Sequence, residues 1–181
     1  MKRFSVSRFA AAAALFVGTA LLAVSPAFAG NPLNAPRGLA VAANGDLYVA
    51  NQSGNSILVF NPSYQYLPAK TITAGIDKPS GVAIDPLGNI YVSNWTDGEV
   101  TVYSSTGVQN VNSTISGLNA PQGIAVDSIG NIYVDENYQD VRVYGATTVG
   151  KSTPVLVSTY NPGQDIFSIA AHNQLFGWGG L

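Results

Sequence analysis

The sequence of 181 residues contains no cysteine, a single histidine and few charged residues, which make up 10% of the chain. Without thiols, disulfides and thiolate metal sites are excluded, so an apolar interior and hydrogen-bonded strands must hold the fold together. Asparagine, serine, threonine and glycine are plentiful instead, together with nine tyrosines. This composition is typical of an extracellular β protein.

Basic residues are also scarce. Beyond residue 29 there are ten acidic residues but only five basic ones, and the basic residues are scattered along the chain: Arg37, Lys70, Lys78, Arg142 and Lys151. Binding to a phosphate backbone requires lysines and arginines clustered on one face. The sequence therefore argues against a nucleic acid as partner.

The first 29 residues have the pattern of a Sec-type signal peptide. A positive start is followed by an apolar run over residues 9–24 and by Ala27-Phe-Ala29, an A-x-A cleavage motif. A retained membrane anchor is the alternative, but the run is short for a bilayer span and ends before Pro26. We expect a secreted or periplasmic protein beginning at Gly30, with no membrane span after cleavage.

The rest of the chain contains the same sequence motif three times. The stretches AANGDLYVAN, DPLGNIYVSN and DSIGNIYVDE begin at Ala42, Asp85 and Asp127. The prolines that open the repeats, Pro36, Pro79 and Pro121, are 43 and 42 residues apart. This period is in the range of β-propeller blades.

Each repeat carries the signals of several short strands. After the proline come a glycine, an apolar trio with central alanine, a glycine turn, and a second apolar strand with a central tyrosine. A third strand and a weaker fourth follow, the fourth predicted at 71–73, 113–115 and 154–157. If the first strand is innermost, a small side chain should be required at its centre: Ala40, Ala83 and Ala125. The tyrosines are expected in the core between blades: Tyr48, Tyr91 and Tyr133.

These signals predict an all-β fold, a β-propeller-like array of about three and a half four-stranded antiparallel blades. The blades are expected at 35–77, 78–119 and 120–162, with a partial one at 163–181. A sandwich or a solenoid is possible, but a sandwich has no reason to keep proline, glycine and tyrosine in register. We favour an open arc, with self-association through its blade edges plausible. A truncated relative of a longer propeller is the remaining alternative.

The motifs P-x-G-[LVI]-A-[VI], G-[ND]-[LI]-Y-V and [IV]-x-V-[FY] resemble NHL repeats and the related YVTN-type repeats of exported propellers, over residues 35–157. The resemblance implies a propeller fold, whose members serve as protein scaffolds, ligand-binding receptors, lyases and lactonases. The basic residue that NHL repeats commonly carry after the second strand is missing throughout. RNA binding is therefore not implied.

Three polar residues end the second strand of successive repeats: Asn51, Asn94 and Glu136. Resemblance to lactonase-type propellers implies a site in which such oxygens hold Ca²⁺ or Mg²⁺, which prefer oxygen ligands. The competing interpretation is that a polar residue at a turn bonds to nearby backbone, as we expect of Asp85 and Asp127.

Two aromatic residues in equivalent loops, Trp95 and Tyr138, are candidates for stacking on a sugar ring or a peptide group. We predict a non-catalytic exported scaffold that binds a protein, glycan or small ligand through its loop rim. The alternative is a metal-assisted lactonase or lyase, in which the resemblance to propeller lyases makes His172 a weak candidate proton carrier. No cofactor is expected beyond the Ca²⁺ or Mg²⁺ of that alternative.

Overall fold

The computed structural model describes residues 32–137, 140–146 and 154–161. This part of the chain consists of β-strands and three short 3₁₀ turns, and none of its helices is long and apolar enough to cross a membrane. The predicted signal peptide and the partial blade at 163–181 lie outside the described residues.

The strands form three separate antiparallel sheets, one for each repeat. Blade 1 contains β1 (Pro36–Val41), β2 (Leu47–Asn51) and β3 (Ser56–Phe60). Blade 2 contains β4 (Pro79–Ile84), β5 (Ile90–Asn94) and β6 (Glu99–Tyr103). Blade 3 contains β7 (Pro121–Val126), β8 (Ile132–Glu136), β9 (Asp140–Tyr144) and β10 (Leu156–Tyr160). In each sheet, strands that follow one another in the chain are neighbours, which is the meander of a propeller blade.

The predicted fourth strand is complete only in blade 3. In blades 1 and 2 the predicted strand is reduced to a single antiparallel bridge, Ile57 to Ile72 and Val100 to Ile115, and a second isolated bridge lies further back along the same segment, Phe60 to Tyr66 and Tyr103 to Gln109. The bridges at Ile72 and Ile115 each contain two backbone hydrogen bonds of 2.8–3.0 Å. The strand goes no further in blade 1 because Ile72 is followed by small and polar residues and then by Gly75 in a left-handed conformation (φ 67°).

The first strands of neighbouring blades lie against each other, β1 on β4 and β4 on β7. Their closest approach falls at the glycine after each proline. A Cβ on Gly38 would lie 2.7 Å from Cα of Gly81, and one on Gly81 would lie 2.6 Å from the carbonyl oxygen of Gln122. The small residue required where the blades converge is therefore this glycine, two positions before the alanine that the sequence pattern indicated.

Apolar side chains fill the two spaces between the three blades. Blade 1 faces blade 2 through a cluster that includes Tyr48, Ile57, Val59, Val82, Ile90, Val92 and Tyr103. Blade 2 faces blade 3 through a second cluster that includes Tyr91, Val100, Val102, Ile124, Ile132, Val134 and Tyr144. Because both faces of an inner strand are covered, the strand is apolar at successive positions. Tyr48 and Tyr91 lie in this core as predicted, while Tyr133 is half-buried.

The arc is open at blade 1. Leu39 and Val41 are 65% and 67% exposed, although Val82 and Ile124, which occupy the position of Leu39 in the next blades, are buried. A third, smaller apolar cluster is formed by Val49, Leu58 and Phe60, and Leu33 and Tyr66 pack against it. The predicted open propeller-like arc is confirmed.

Candidate functional site

The three polar residues that end the second strands occupy equivalent positions, and all are buried: Asn51, Asn94 and Glu136. Each side chain accepts a hydrogen bond from the backbone N–H of the residue two places before the blade's proline. The donors are Asn34 to Asn51 (2.5 Å), Asp77 to Asn94 (3.1 Å) and Asn119 to Glu136 (2.6 Å). Each residue therefore joins its blade to the segment that enters it.

The other polar atoms of these side chains are also bonded within their own blades. Asn94 donates to Oγ1 of Thr101 at 2.9 Å and to the carbonyl of Gly75 at 3.3 Å. Asn51 donates to Oγ of Ser56 at 3.2 Å. Oε2 of Glu136 forms an ion pair with Nε of Arg142 at 2.5 Å.

These contacts give the three residues a structural role. Within the described ranges, no three His, Asp or Glu side chains are grouped as a metal site would require. The Ca²⁺ or Mg²⁺ hypothesis for Asn51, Asn94 and Glu136 remains a prediction without support from this geometry.

The residues that directly follow these three begin the loop after the second strand, and the same backbone turn holds each of them. The N–H groups of Gln52, Trp95 and Asn137 donate to the carbonyls of the residues that precede the prolines, at 3.2, 3.2 and 3.3 Å. Those preceding residues all adopt left-handed backbone: Ala35 (φ 50°), Lys78 (φ 45°) and Ala120 (φ 47°). The same turn thus fixes the start of the loop after the second strand in every blade.

A groove of about 670 Å³ lies where these loops meet the beginnings of the first strands. Its lining includes Gln52, Trp95 and Asn137 from the loops. The residue after each proline also lines it: Arg37, Ser80 and Gln122. Strand pairing is irregular at this position in each blade, and a β-bulge can re-aim a side chain in this way. The volume is within the range of small-molecule sites.

The groove combines one aromatic ring, one guanidinium group and several amides. Trp95 is 42% exposed, and Nζ of Lys78 lies 5.9 Å from the centroid of its ring. Nε of Arg37 donates to Oε1 of Gln52 at 3.1 Å. None of the described residues that line the groove is acidic. Such a surface can hydrogen-bond to a polar ligand and stack against a ring.

The turn carboxylates are used locally, as the sequence predicted. Oδ1 of Asp85 accepts from the N–H groups of Leu87 and Asn89, both at 2.9 Å, and its Oδ2 accepts from the hydroxyl of Tyr91 at 3.0 Å. Asp127 makes the same set of bonds in blade 3. Burial opposes ionisation of Asp127, but the hydrogen bonds outweigh it and hold its pKa below the ordinary value.

Blade 1 departs from this arrangement because Ala42 stands where the other blades have aspartate. Its turn carries Asp46, which binds Nζ of Lys70 at 2.6 Å. This hydrogen bond lowers the pKa of Asp46 and raises the pKa of Lys70.

Of the two aromatic residues predicted to bind a ligand, Trp95 lines the groove and Tyr138 lies outside the described residues, as does the candidate proton carrier His172. Sequence reasoning missed Arg37, Ser80 and Gln122. The signal available was the variable position of P-x-G, which is polar in all three repeats.

Two repeat families match the sequence. Residues 33–60 match the NHL repeat, and residues 71–99 match the β-propeller repeat model SBBP. The chain contains β-propeller repeats. Among curated proteins, none matches its sequence significantly.

Solved propellers share the fold. The streptogramin B lyase structure is 15% identical with a TM-score of 0.59, over 75% of this chain and 44% of that one. An inactive variant of virginiamycin B lyase from Staphylococcus aureus with quinupristin is 14% identical with a TM-score of 0.60, over 78% of this chain and 47% of that one. The nidogen/laminin complex is 22% identical with a TM-score of 0.55, over 72% and 50%. This propeller repeat protein thus spans half or less of each similar chain, and the likeness shows the fold alone.

Proposed function

We propose that this propeller repeat protein is an exported, non-catalytic scaffold that binds a ligand in the groove. The observation that carries the proposal is the convergence of side chains from three blades on one groove of about 670 Å³: Arg37 and Gln52 from blade 1, Trp95 from blade 2, and Gln122 and Asn137 from blade 3. Side chains from separate blades are held there by an identical turn, so the surface is preorganised. Preorganisation reduces the cost of ordering on binding.

The chemistry of the groove supports binding over catalysis. Among the described residues that line it there is no Asp, Glu or His that could act as general acid or base. The hydroxyl of Ser80 is already engaged, since it donates to the carbonyl of Pro121 at 2.7 Å. Similar propellers occur in a protein complex, that of nidogen and laminin, and with a small molecule, quinupristin. A protein, glycan or small ligand therefore remains the class of partner that we propose.

A binding screen tests the proposal. Residues 30–181 would be presented to arrays of glycans and of peptides, and hits would be measured by calorimetry. We expect at least one hit whose affinity falls by about tenfold or more in Trp95→Ala, since stacked aromatic side chains dominate such sites. Tyr64→Ala is the matched control, because Tyr64 is 74% exposed and does not line the groove. Hits that are unaffected by Trp95→Ala would contradict a groove site.

Thermal melting with Ca²⁺ or Mg²⁺ separates the scaffold from the metal-assisted lactonase or lyase. The scaffold proposal expects no change in Tm. A rise in Tm that is abolished by Glu136→Ala would contradict it and favour the enzyme.

Export has its own test. We expect the protein recovered outside the cytoplasm to begin at Gly30 when its N-terminus is sequenced. An N-terminus retained at Met1 would contradict the proposed cleavage.

A further inference from the structure

We propose that the groove selects an acidic saccharide, that is, a sugar ring bearing a carboxylate. This inference rests on the proposed binding function and names the class of ligand. It is argued from which of the described cationic side chains form ion pairs and which do not.

The described residues include four cationic side chains, of which two form ion pairs and two do not. Lys70 is ion-paired with Asp46 at 2.6 Å, and Arg142 with Glu136 at 2.5 Å. The other two, Arg37 and Lys78, form no ion pair with any described residue; Arg37 lines the groove, and the Lys78 ammonium lies beside Trp95, which lines it. Within the described part of the chain the unpaired positive charge is thus at or next to the groove, and no carboxylate is among the described residues that line it. This positive charge would attract an anionic ligand.

Arg37 is arranged to bind a carboxylate. Its Nε donates to Gln52, and this neutral partner orients the side chain without neutralising it. The two terminal nitrogens bond to no other described group. A guanidinium with free terminal nitrogens can form two parallel hydrogen bonds to a carboxylate.

Trp95 offers a ring face for a sugar. The Lys78 ammonium is within cation–π distance of the indole, at 5.9 Å, and 42% of the residue is exposed. The apolar C–H face of a pyranose can stack on such a ring. The amides of Gln122 and Asn137 supply donors and acceptors for its hydroxyls.

The apolar part of the lining favours a sugar over a protein segment. Of its apolar strand residues, Val82 and Ile124 are buried, and Leu39 is exposed at the open end of the arc. Protein interfaces are dominated by large side chains anchored in desolvated pockets. Apart from Leu39 and Trp95, the groove exposes little apolar surface to such an anchor.

The experiment uses tri-galacturonate as the probe, with its methyl ester as the neutral match and a Gly-Asp hexapeptide as the acidic peptide. Binding would be followed by tryptophan fluorescence in Trp178→Phe, which leaves Trp95 as the reporter. We expect tri-galacturonate to bind, the ester to bind about tenfold more weakly or worse, and the affinity to fall with added salt. Arg37→Gln should weaken binding by about 10- to 100-fold, and Arg37→Lys should weaken it less.

Lys70→Gln is the charge-matched control, because it removes one positive charge that does not line the groove. We expect it to leave the affinity within about twofold. Equal binding of acid and ester, or no effect of Arg37→Gln, would overturn the inference while the proposed scaffold stands. Binding of the hexapeptide alone would overturn it in favour of an acidic peptide. Failure of all three probes would also overturn it, and the array screen then decides the scaffold proposal separately.

Discussion

The backbone N–H of Asn119 donates to Oε1 of Glu136 at 2.6 Å, which repeats in blade 3 the bond that joins Asp77 to Asn94 in blade 2. The acceptor is a carboxylate in one blade and an amide in the other. The position therefore requires a buried oxygen acceptor and does not require a charge.

Replacing Asn94 by alanine should destabilise the protein by about 2–4 kcal/mol, because a half-buried backbone N–H, a buried hydroxyl and a carbonyl lose their partner together. Urea denaturation measures the change. Asn119→Ala is the control: its side chain is exposed, its backbone donor is retained, and its effect should be near zero. Equal effects of the two substitutions would show that the buried amide contributes nothing.

Gly81→Ala should cost about 2–3 kcal/mol, because the new Cβ would meet the Gln122 carbonyl at 2.6 Å and Oγ of Ser93 at 2.8 Å. Gly117→Ala measures the backbone strain alone, because Gly117 has a φ of 75° and no atom lies within 4 Å of where a new Cβ would be. It should cost only about 1 kcal/mol. A smaller loss for Gly81→Ala than for Gly117→Ala would contradict the close approach of β4 and β7.

Ala120→Gly should leave the stability unchanged or raise it by up to about 1 kcal/mol. Ala120 holds a left-handed φ of 47°, which glycine adopts without strain. The control is Ala125→Gly, inside β7 and buried, which should destabilise through lost packing and added chain entropy. Both would be compared by thermal melting, and a clear loss of stability in Ala120→Gly would refute the strained turn.

Stability should fall at alkaline pH because buried tyrosines resist ionisation. Burial raises the pKa of Tyr103 to about 12 from the ordinary 10.0. The folded state therefore favours the neutral phenol, and this contribution is complete below pH 10 and is lost as pH rises towards 12. Absorbance titration should show a tyrosine with a midpoint near 12 that disappears in Tyr103→Phe.

Tyr66→Phe serves as the matched control for that titration, since Tyr66 is only half-buried. The high midpoint should survive in this variant. Normal titration of all tyrosines in the wild type would contradict the buried environment of Tyr103.

The repeat predicted the blades because each local signal agrees with the global fold. Proline, glycine turn and tyrosine recur in register, and the Asp85 turn is bonded as its sequence indicated. The shortened fourth strands could not be foreseen, since whether Ile72 starts a strand or ends at one bridge depends on pairing with Ile57.

The role of Asn94 was equally hidden. An amide has the same chemistry whether it meets a ligand or the backbone of Asp77, which is 17 positions away in the chain. The groove arises only when three copies of P-x-G are brought side by side, so Arg37 carried no signal by itself.

The outermost segments of the three blades differ in how readily another molecule could pair with them, and this affects solubility. In blades 1 and 2 the outermost segment forms two separate bridges, at Tyr66 and Ile72 or at Gln109 and Ile115, and so offers no continuous strand that another molecule could extend. By contrast, β10 is a full five-residue strand, exposed throughout and carrying Leu156, Val157 and Tyr160. Concentrated solutions should therefore begin to aggregate at blade 3, and a lysine at Val157 is the substitution that would delay it.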